Sequence, residues 1–155
     1  MLALLLRFVG LFALALWVGG GVAITFLVAP VAFERLPTRA KAGELVGGVL
    51  RRFDRLVLLC VVLAGASVAH RCVTATSPAA MLQAALVALM AGLALLSQTA
   101  ITPAIARLRA AMGDVDAVPK EDPRRREFGK LHGVSILLLL AQLLLGAFAM
   151  ALMLL

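Results

Sequence analysis

The chain has 155 residues, 63% of them hydrophobic, with a formal charge of +7 and a mean hydropathy of +1.07, a composition that excludes a soluble globular domain, where apolar residues make up about half. Thirteen of the fifteen Lys and Arg residues and all eight carboxylates fall in two segments, Glu34 to Arg55 and Arg107 to His132, with no interleaved aromatic stripe. Nucleic acid is thereby excluded as the partner, and a lipid bilayer with anionic headgroups at the basic segments is the expected one.

A helix needs about 20 apolar residues to cross a bilayer core. The first run, Phe8 to Phe33, extends 26 residues without a charge, longer than the roughly 7 to 15 apolar residues of a cleaved signal peptide, so it is expected to be retained as a span over about 6–34. Residues 35–53 then read as a loop, with Gly43 to Asp54 as an amphipathic helical approach to the membrane. The second span, about 54–72, holds only 14 uncharged residues from Leu56 to Ala69, about 21 Å of helix. Arg55 and Arg71 can lengthen it by snorkelling to the two interfaces. A third span covers about 78–106. Residues 107–130, rich in turn formers from Gly113 to Pro123, read as a second loop, and a fourth span covers about 131–154. The expectation is an all-α polytopic protein, a single four-helix transmembrane domain. An even number of spans puts both basic loops on one side. The Lys and Arg bias makes that side the cytoplasm of a bacterial-type inner membrane, with both termini outside.

Small residues recur every four positions as Ala15, Gly19 and Ala23 in the first span and as Ala84, Ala88 and Gly92 in the third. Such stripes let helix backbones approach closely in lipid, so they are expected to line helix contacts, although general Ala and Gly richness accounts for them equally well. The chain also carries a weak internal repeat. Ala29-Pro30 followed by Phe33 and Arg35 matches Thr102-Pro103 followed by Ile105 and Arg107, and Arg52-Phe53 resembles the approach to Phe128. Two parallel hairpins related by an axis along the membrane normal would produce that pattern.

Few residues suit chemistry. His70 and His132 fall at opposite ends of the bundle, so they cannot share one metal or one haem iron within a chain. Cys60 and Cys72 are twelve residues apart, about 18 Å along a helix, too far for a disulfide and outside any metal-ligand spacing. Gly19-Gly20-Gly21 sits in an apolar helix with no preceding strand, which rules out a nucleotide loop. The polar groups converge on the cytoplasmic end. Pro30 lies there, with Gln98, Thr99, Thr102 and Pro103 from the third span and His132 and Ser135 from the fourth. The two prolines each withdraw an N–H from a carbonyl one turn earlier. These residues are expected to line a small vestibule with His132 as its titratable member. The plainer alternative makes His132 a headgroup contact beside Lys130 and the Thr and Gln residues bonds to neighbouring helices. Glu34 and Asp54 are expected to pair with Arg35, Arg51 or Arg55, and Gln142 to join helices.

Trp17-Val18-Gly19, Ala29-Pro30-Val31-Ala32-Phe33, Arg52-Phe53, Ile101-Thr102-Pro103 with Arg107, and Phe128-Gly129-Lys130-Leu131-His132 together resemble the bacterial domain-of-unknown-function family related to Transmembrane Protein 205. The resemblance implies a four-helix membrane protein with no established activity, and through its animal relatives a link to transport or trafficking. A more distant likeness is to the copper-resistance protein D and HemJ-type group, whose histidine and methionine clusters this chain lacks. The expected function is non-enzymatic transport or sensing of a small solute or ion by a homo-oligomer, with no cofactor. The alternatives are a haem or quinone redox protein and a structural subunit of a larger membrane complex.

Overall fold

In the computed structural model, which describes every residue except 76, 114, 116, 120, 154 and 155, 90% of the described residues are helical and no strand occurs among them. Four helices are long and apolar enough to cross a membrane: α1 Leu2–Arg35, α2 Arg39–Thr74, α3 Pro78–Met112 and α4 Pro123–Ala151. The chain is an all-α integral membrane protein. At 36 residues, α2 is about 54 Å long, well beyond the roughly 30 Å of a bilayer core.

The starts of α2, α3 and α4 each have a local cause. Thr38 Oγ1 accepts the Lys41 N–H at 3.2 Å to begin α2, and Ser77 Oγ accepts the Ala80 N–H at 3.2 Å to begin α3. Asp122 Oδ1 accepts the Arg124 N–H at 2.8 Å ahead of α4. Pro78 and Pro123 occupy first-turn positions, where a missing N–H costs nothing. Gly113 ends α3 with φ +68°, a conformation that suits a residue without a Cβ.

Two boundaries differ from the sequence-based reading. Residues 35–53, expected as a loop with a helical approach from Gly43, are helical from Arg39 and continue into α2 without a break. The Thr38 cap and a buried stripe running through Ala42 and Phe53 explain why the helix starts so early. Residues 107–130 are likewise not a loop throughout. α3 continues to Met112 and α4 begins at Pro123, while part of the acidic stretch Asp114 to Asp122 lies outside the described residues, as does the end of the fourth span at Leu154.

The helices form a ring in which α1 and α3 each pack mainly against α2 and α4. The core is filled by Leu14, Trp17, Cys60 and Met90, all essentially inaccessible. α1 and α3 share a further feature that supports the internal repeat. Each contains a five-residue π-helical turn, Ile24–Val28 and Ser97–Ile101, and each turn is followed at once by the X-Pro step Ala29-Pro30 or Thr102-Pro103. In this register Gly10, Leu14, Trp17 and Gly21 correspond to Gln83, Val87, Met90 and Ala94, and all eight are buried.

Close approach depends on glycines other than those of the expected stripes. A Cβ at Gly146 would stand 2.4 Å from Val18 Cγ2 and 2.9 Å from Met90 Cε, whereas one at Gly19, Gly92 or Gly133 would meet nothing within 4 Å. Gly146→Ala is therefore expected to lower the stability of the detergent-solubilised protein by about 1–3 kcal/mol through overpacking. Gly133→Ala, in the same helix, should be neutral or stabilising by up to about 1 kcal/mol through helix propensity. Thermal unfolding of the two variants side by side measures the difference in sign.

Candidate functional site

The basic segments lie at one end of the bundle, the basic end, and both termini lie at the other, the terminal end. At the basic end three helices meet on Arg109. Its Nη1 donates to the Gly43 carbonyl of α2 at 3.0 Å, and its guanidinium carbon stands 5.6 Å from the Phe128 ring centroid of α4. That geometry is a cation–π contact. Phe128 in turn stacks on His132, with centroids 6.1 Å apart and planes at 4°. Gly43 admits the arginine, since a Cβ there would stand 2.9 Å from Arg109 Nη2.

The expected vestibule residues share this end but are not gathered around one enclosed cavity. Gln98 is half-buried and crosses to α2, its Nε2 donating to the Asp54 carbonyl at 3.2 Å. Thr99 is exposed and turns back to its own helix, bonding the Leu95 carbonyl at 2.7 Å. Thr102, Pro103 and Ser135 are half-buried, while Pro30 and His132 are exposed. The π turns explain what the prolines do. Pro30 and Pro103 have no N–H for the carbonyls of Phe26 and Thr99, and the chain widens just upstream, where the Ala29 N–H bonds the Ile24 carbonyl and the Thr102 N–H bonds the Ser97 carbonyl. An open cleft at this end is lined by Leu36, Lys41, Glu44, Arg51 and Arg52.

The small-residue stripes face away from the bundle. Ala15, Gly19, Ala88 and Gly92 are exposed, and Ala23 and Ala84 are half-buried. Ala84 and Ala88 line a shallow apolar groove between α2 and α3 that also takes in Gly65 and Cys72. Glu34 and Arg35 form the expected ion pair at 3.9 Å, on the surface. Gln142 Nε2 bonds the Leu138 carbonyl of its own helix at 3.2 Å rather than a neighbouring one. Both cysteines are free, and no group of three or more His, Cys, Asp or Glu side chains among the described residues could hold a metal ion.

Sequence reasoning missed the polar cluster at the terminal end. Gln83, fully buried, donates from Nε2 to the Ala149 carbonyl at 3.1 Å and accepts at Oε1 from Arg71 Nη1 at 2.9 Å. The same Arg71 nitrogen donates to the Leu152 carbonyl at 3.0 Å, and Arg7 Nη2 donates to the Met153 carbonyl at 3.0 Å. The available signal was that Arg7 and Arg71 are the chain's only charged side chains outside the two basic segments.

Among known families, the one described as Domain of unknown function (DUF4149) matches residues 12–114, about two thirds of the chain. The protein belongs to this family. The match takes in the α1 π turn through Arg109 and stops before α4, and it assigns no activity and shows no relation to Transmembrane Protein 205 or to copper-resistance protein D. No curated protein and no solved structure gives a significant match.

The Asp122 cap titrates. The Arg124 side chain, bonded to both carboxylate oxygens at 2.8 and 3.2 Å, is the main cause holding the Asp122 carboxyl below its ordinary 3.8, and the Arg124 backbone N–H adds to it. A depressed folded-state value means that the cap's stabilisation is complete above the unfolded value and disappears as pH falls through the folded one. The amide chemical shifts of residues 124–126 should therefore be constant above about pH 5 and titrate with a midpoint under the ordinary aspartate value. Asp122→Ala should abolish that titration.

Proposed function

We propose that this protein is a non-enzymatic, cofactor-free component of the bacterial cytoplasmic membrane that moves or senses a small solute or ion at its basic end, acting as a homo-oligomer. The basic end faces the cytoplasm and both termini face outward. The bias of Lys and Arg toward one end of the bundle supports that orientation, and anionic headgroups balance the open cleft beside Lys41, Arg51 and Arg52.

The carrying observation is the pair of π turns at matching positions of α1 and α3, each ahead of an X-Pro step. Single π turns inside α-helices are frequent at functional sites because they withdraw backbone groups from the regular ladder. Here the α3 turn contains Gln98 and Thr99 and is followed by Thr102 and Pro103, with His132 and Ser135 supplying α4's polar groups at the same end. The core of a single chain is filled by Trp17, Leu14 and Met90, so a pathway runs between copies. Ala15 and Gly19 on α1, with Ala88 and Gly92 on α3, present small outward faces suited to close helix contact in lipid.

Three measurements test this reading. An absorption spectrum of the protein in mild detergent, before and after dithionite, should be flat above the protein band. A Soret band that sharpens on reduction would replace the reading with a haem redox protein. Light scattering should give an oligomer for the parent and a smaller species for the Gly19→Leu, Gly92→Leu double variant. A monomeric parent overturns the oligomer. In proteoliposomes assayed for proton and potassium flux, Gln98→Leu and His132→Ala should each lower the flux, and no flux in the parent defeats the transport reading for these ions.

A further inference from the structure

At the terminal end, two faces meet at close range. On α1, Arg7 and Gly10 are one turn apart. On α2, Ser67 and Arg71 are one turn apart. A Cβ on Gly10 would stand 2.3 Å from Ser67 Oγ, so the missing side chain brings the two helices together at this level. It also brings the two arginines to the carbonyls of consecutive residues, Leu152 and Met153.

These bonds leave much of the cluster unused. Among the described residues Arg7 bonds through Nη2 alone and Arg71 through Nη1 alone, although each guanidinium carries five N–H donors in a fixed fork. Ser67 is 2% exposed and its hydroxyl has no partner. Three helix threonines turn back to their own helix: Thr25 to Gly21, Thr74 to His70 and Thr99 to Leu95. Ser67 does not, and a buried hydroxyl without a partner is costly. No Asp or Glu side chain is available to balance the arginines, because all eight carboxylates lie between Glu34 and Asp54 or between Asp114 and Glu127. The carbonyls that the arginines bond carry only partial negative charge, so the cluster is rich in donors and has no carboxylate side chain among its described residues.

We propose that Arg7, Arg71 and Ser67 form a binding site for a phosphate group at the terminal end, opposite the Lys- and Arg-rich segments. A tetrahedral oxyanion matches forked guanidinium donors, which recognise phosphate in bidentate geometry. Arg7, the more exposed of the two arginines, forms the outer wall, Arg71 the inner wall and the Ser67 hydroxyl the floor, while Gln83 holds Arg71 in place from Oε1. The phosphate belongs either to a lipid headgroup, since both arginines lie within two turns of their helix ends, or to a soluble oxyanion.

The test is native mass spectrometry of the full chain in mild detergent, titrated with a phosphatidylglycerol and, separately, with inorganic phosphate. Arg7→Gln and Ser67→Ala are the informative variants, because Arg7 makes one hydrogen bond and Ser67 none, whereas Arg71→Gln would unseat Gln83. Binding should fall at least about tenfold in Arg7→Gln, as expected for loss of a charge-assisted hydrogen bond, and by less in Ser67→Ala. An Arg51→Gln, Arg52→Gln control at the basic end should retain the parent's tightest site. Displacement of the lipid by inorganic phosphate identifies the soluble source, and resistance to displacement identifies the headgroup. Equal binding by the parent and Arg7→Gln, or no phosphate-bearing adduct on the parent, overturns the proposal and leaves the arginines as caps of α4.

Discussion

Hydrogen bonds from arginine to the backbone carbonyls of neighbouring helices tie this bundle at both ends. In lipid, helices gain little from hiding apolar surface against one another, and association depends on close fit and on polar bonds between helices. Arg109 joins α3 to the Gly43 carbonyl of α2 and covers Phe128 of α4. Arg71 joins α2 to Gln83 of α3 and to the carbonyl of Leu152, which caps the end of α4. Ion pairs do no comparable work, since those between described residues, Glu34 with Arg35 and Asp122 with Arg124, are local and leave the helices unconnected. A carbonyl has a second lone pair after its helical bond, and the last carbonyls of a helix have no helical partner at all. A guanidinium can use either without requiring that a carboxylate also be desolvated.

Between the two ties, the bundle depends on shape. Gly10 lies against Ser67, Gly20 against Phe53, Gly21 against Leu143 and Gly146 against Val18 and Met90, so close approaches recur along the interior. The large residues Trp17 and Met90 occupy corresponding positions of the two repeats and fill the space these glycines leave. This alternation of large and small explains how the core closes with few polar groups. The exposed glycines have a different environment, since a Cβ at Gly19 or Gly92 would meet nothing within 4 Å in the single chain.

Much of this was legible in the residues themselves, because the bilayer imposes a coarse rule. Four charge-free runs became four helices, and Pro78, Pro123 and Gly113 mark helix limits where their backbone chemistry requires. Two features escaped for definable reasons. A stripe of small residues at every fourth position states that a helix has a small face but not which way the face turns, and the buried face of α1 runs instead through Gly10, Leu14, Trp17 and Gly21. The early start of α2 was hidden because Arg39, Lys41 and Glu44 resemble loop residues by charge. The Thr38 cap and the buried Ala42 and Phe53 decide the matter. Of the candidate site, the collection of polar residues at the basic end could be read. Its gathering point could not, since Arg109 resembled one more cytoplasmic charge until its contacts with Gly43 and Phe128 were seen.

The two repeats are alike in backbone and unlike in polar content, and the difference has a physical consequence. The register fixed by the π turns sets Gly10 opposite Gln83 as equivalent positions, both buried. In the first repeat the position is empty of side chain and lets α2 approach; in the second it carries an amide that bonds the Ala149 carbonyl of α4 and receives Arg71. The polar bonds at the terminal end therefore concentrate on the end of α4 and the two residues after it, whose carbonyls are held from α1, α2 and α3 at once. The π turns, by contrast, recur in both repeats at the opposite end. A structure with symmetric helix breaks at its basic end and an asymmetric tie at its terminal end places its freedom to rearrange where the helical ladder is interrupted, because among the described residues four N–H hydrogen bonds join the helices and the end of the chain at the terminal end against two between helices at the basic end.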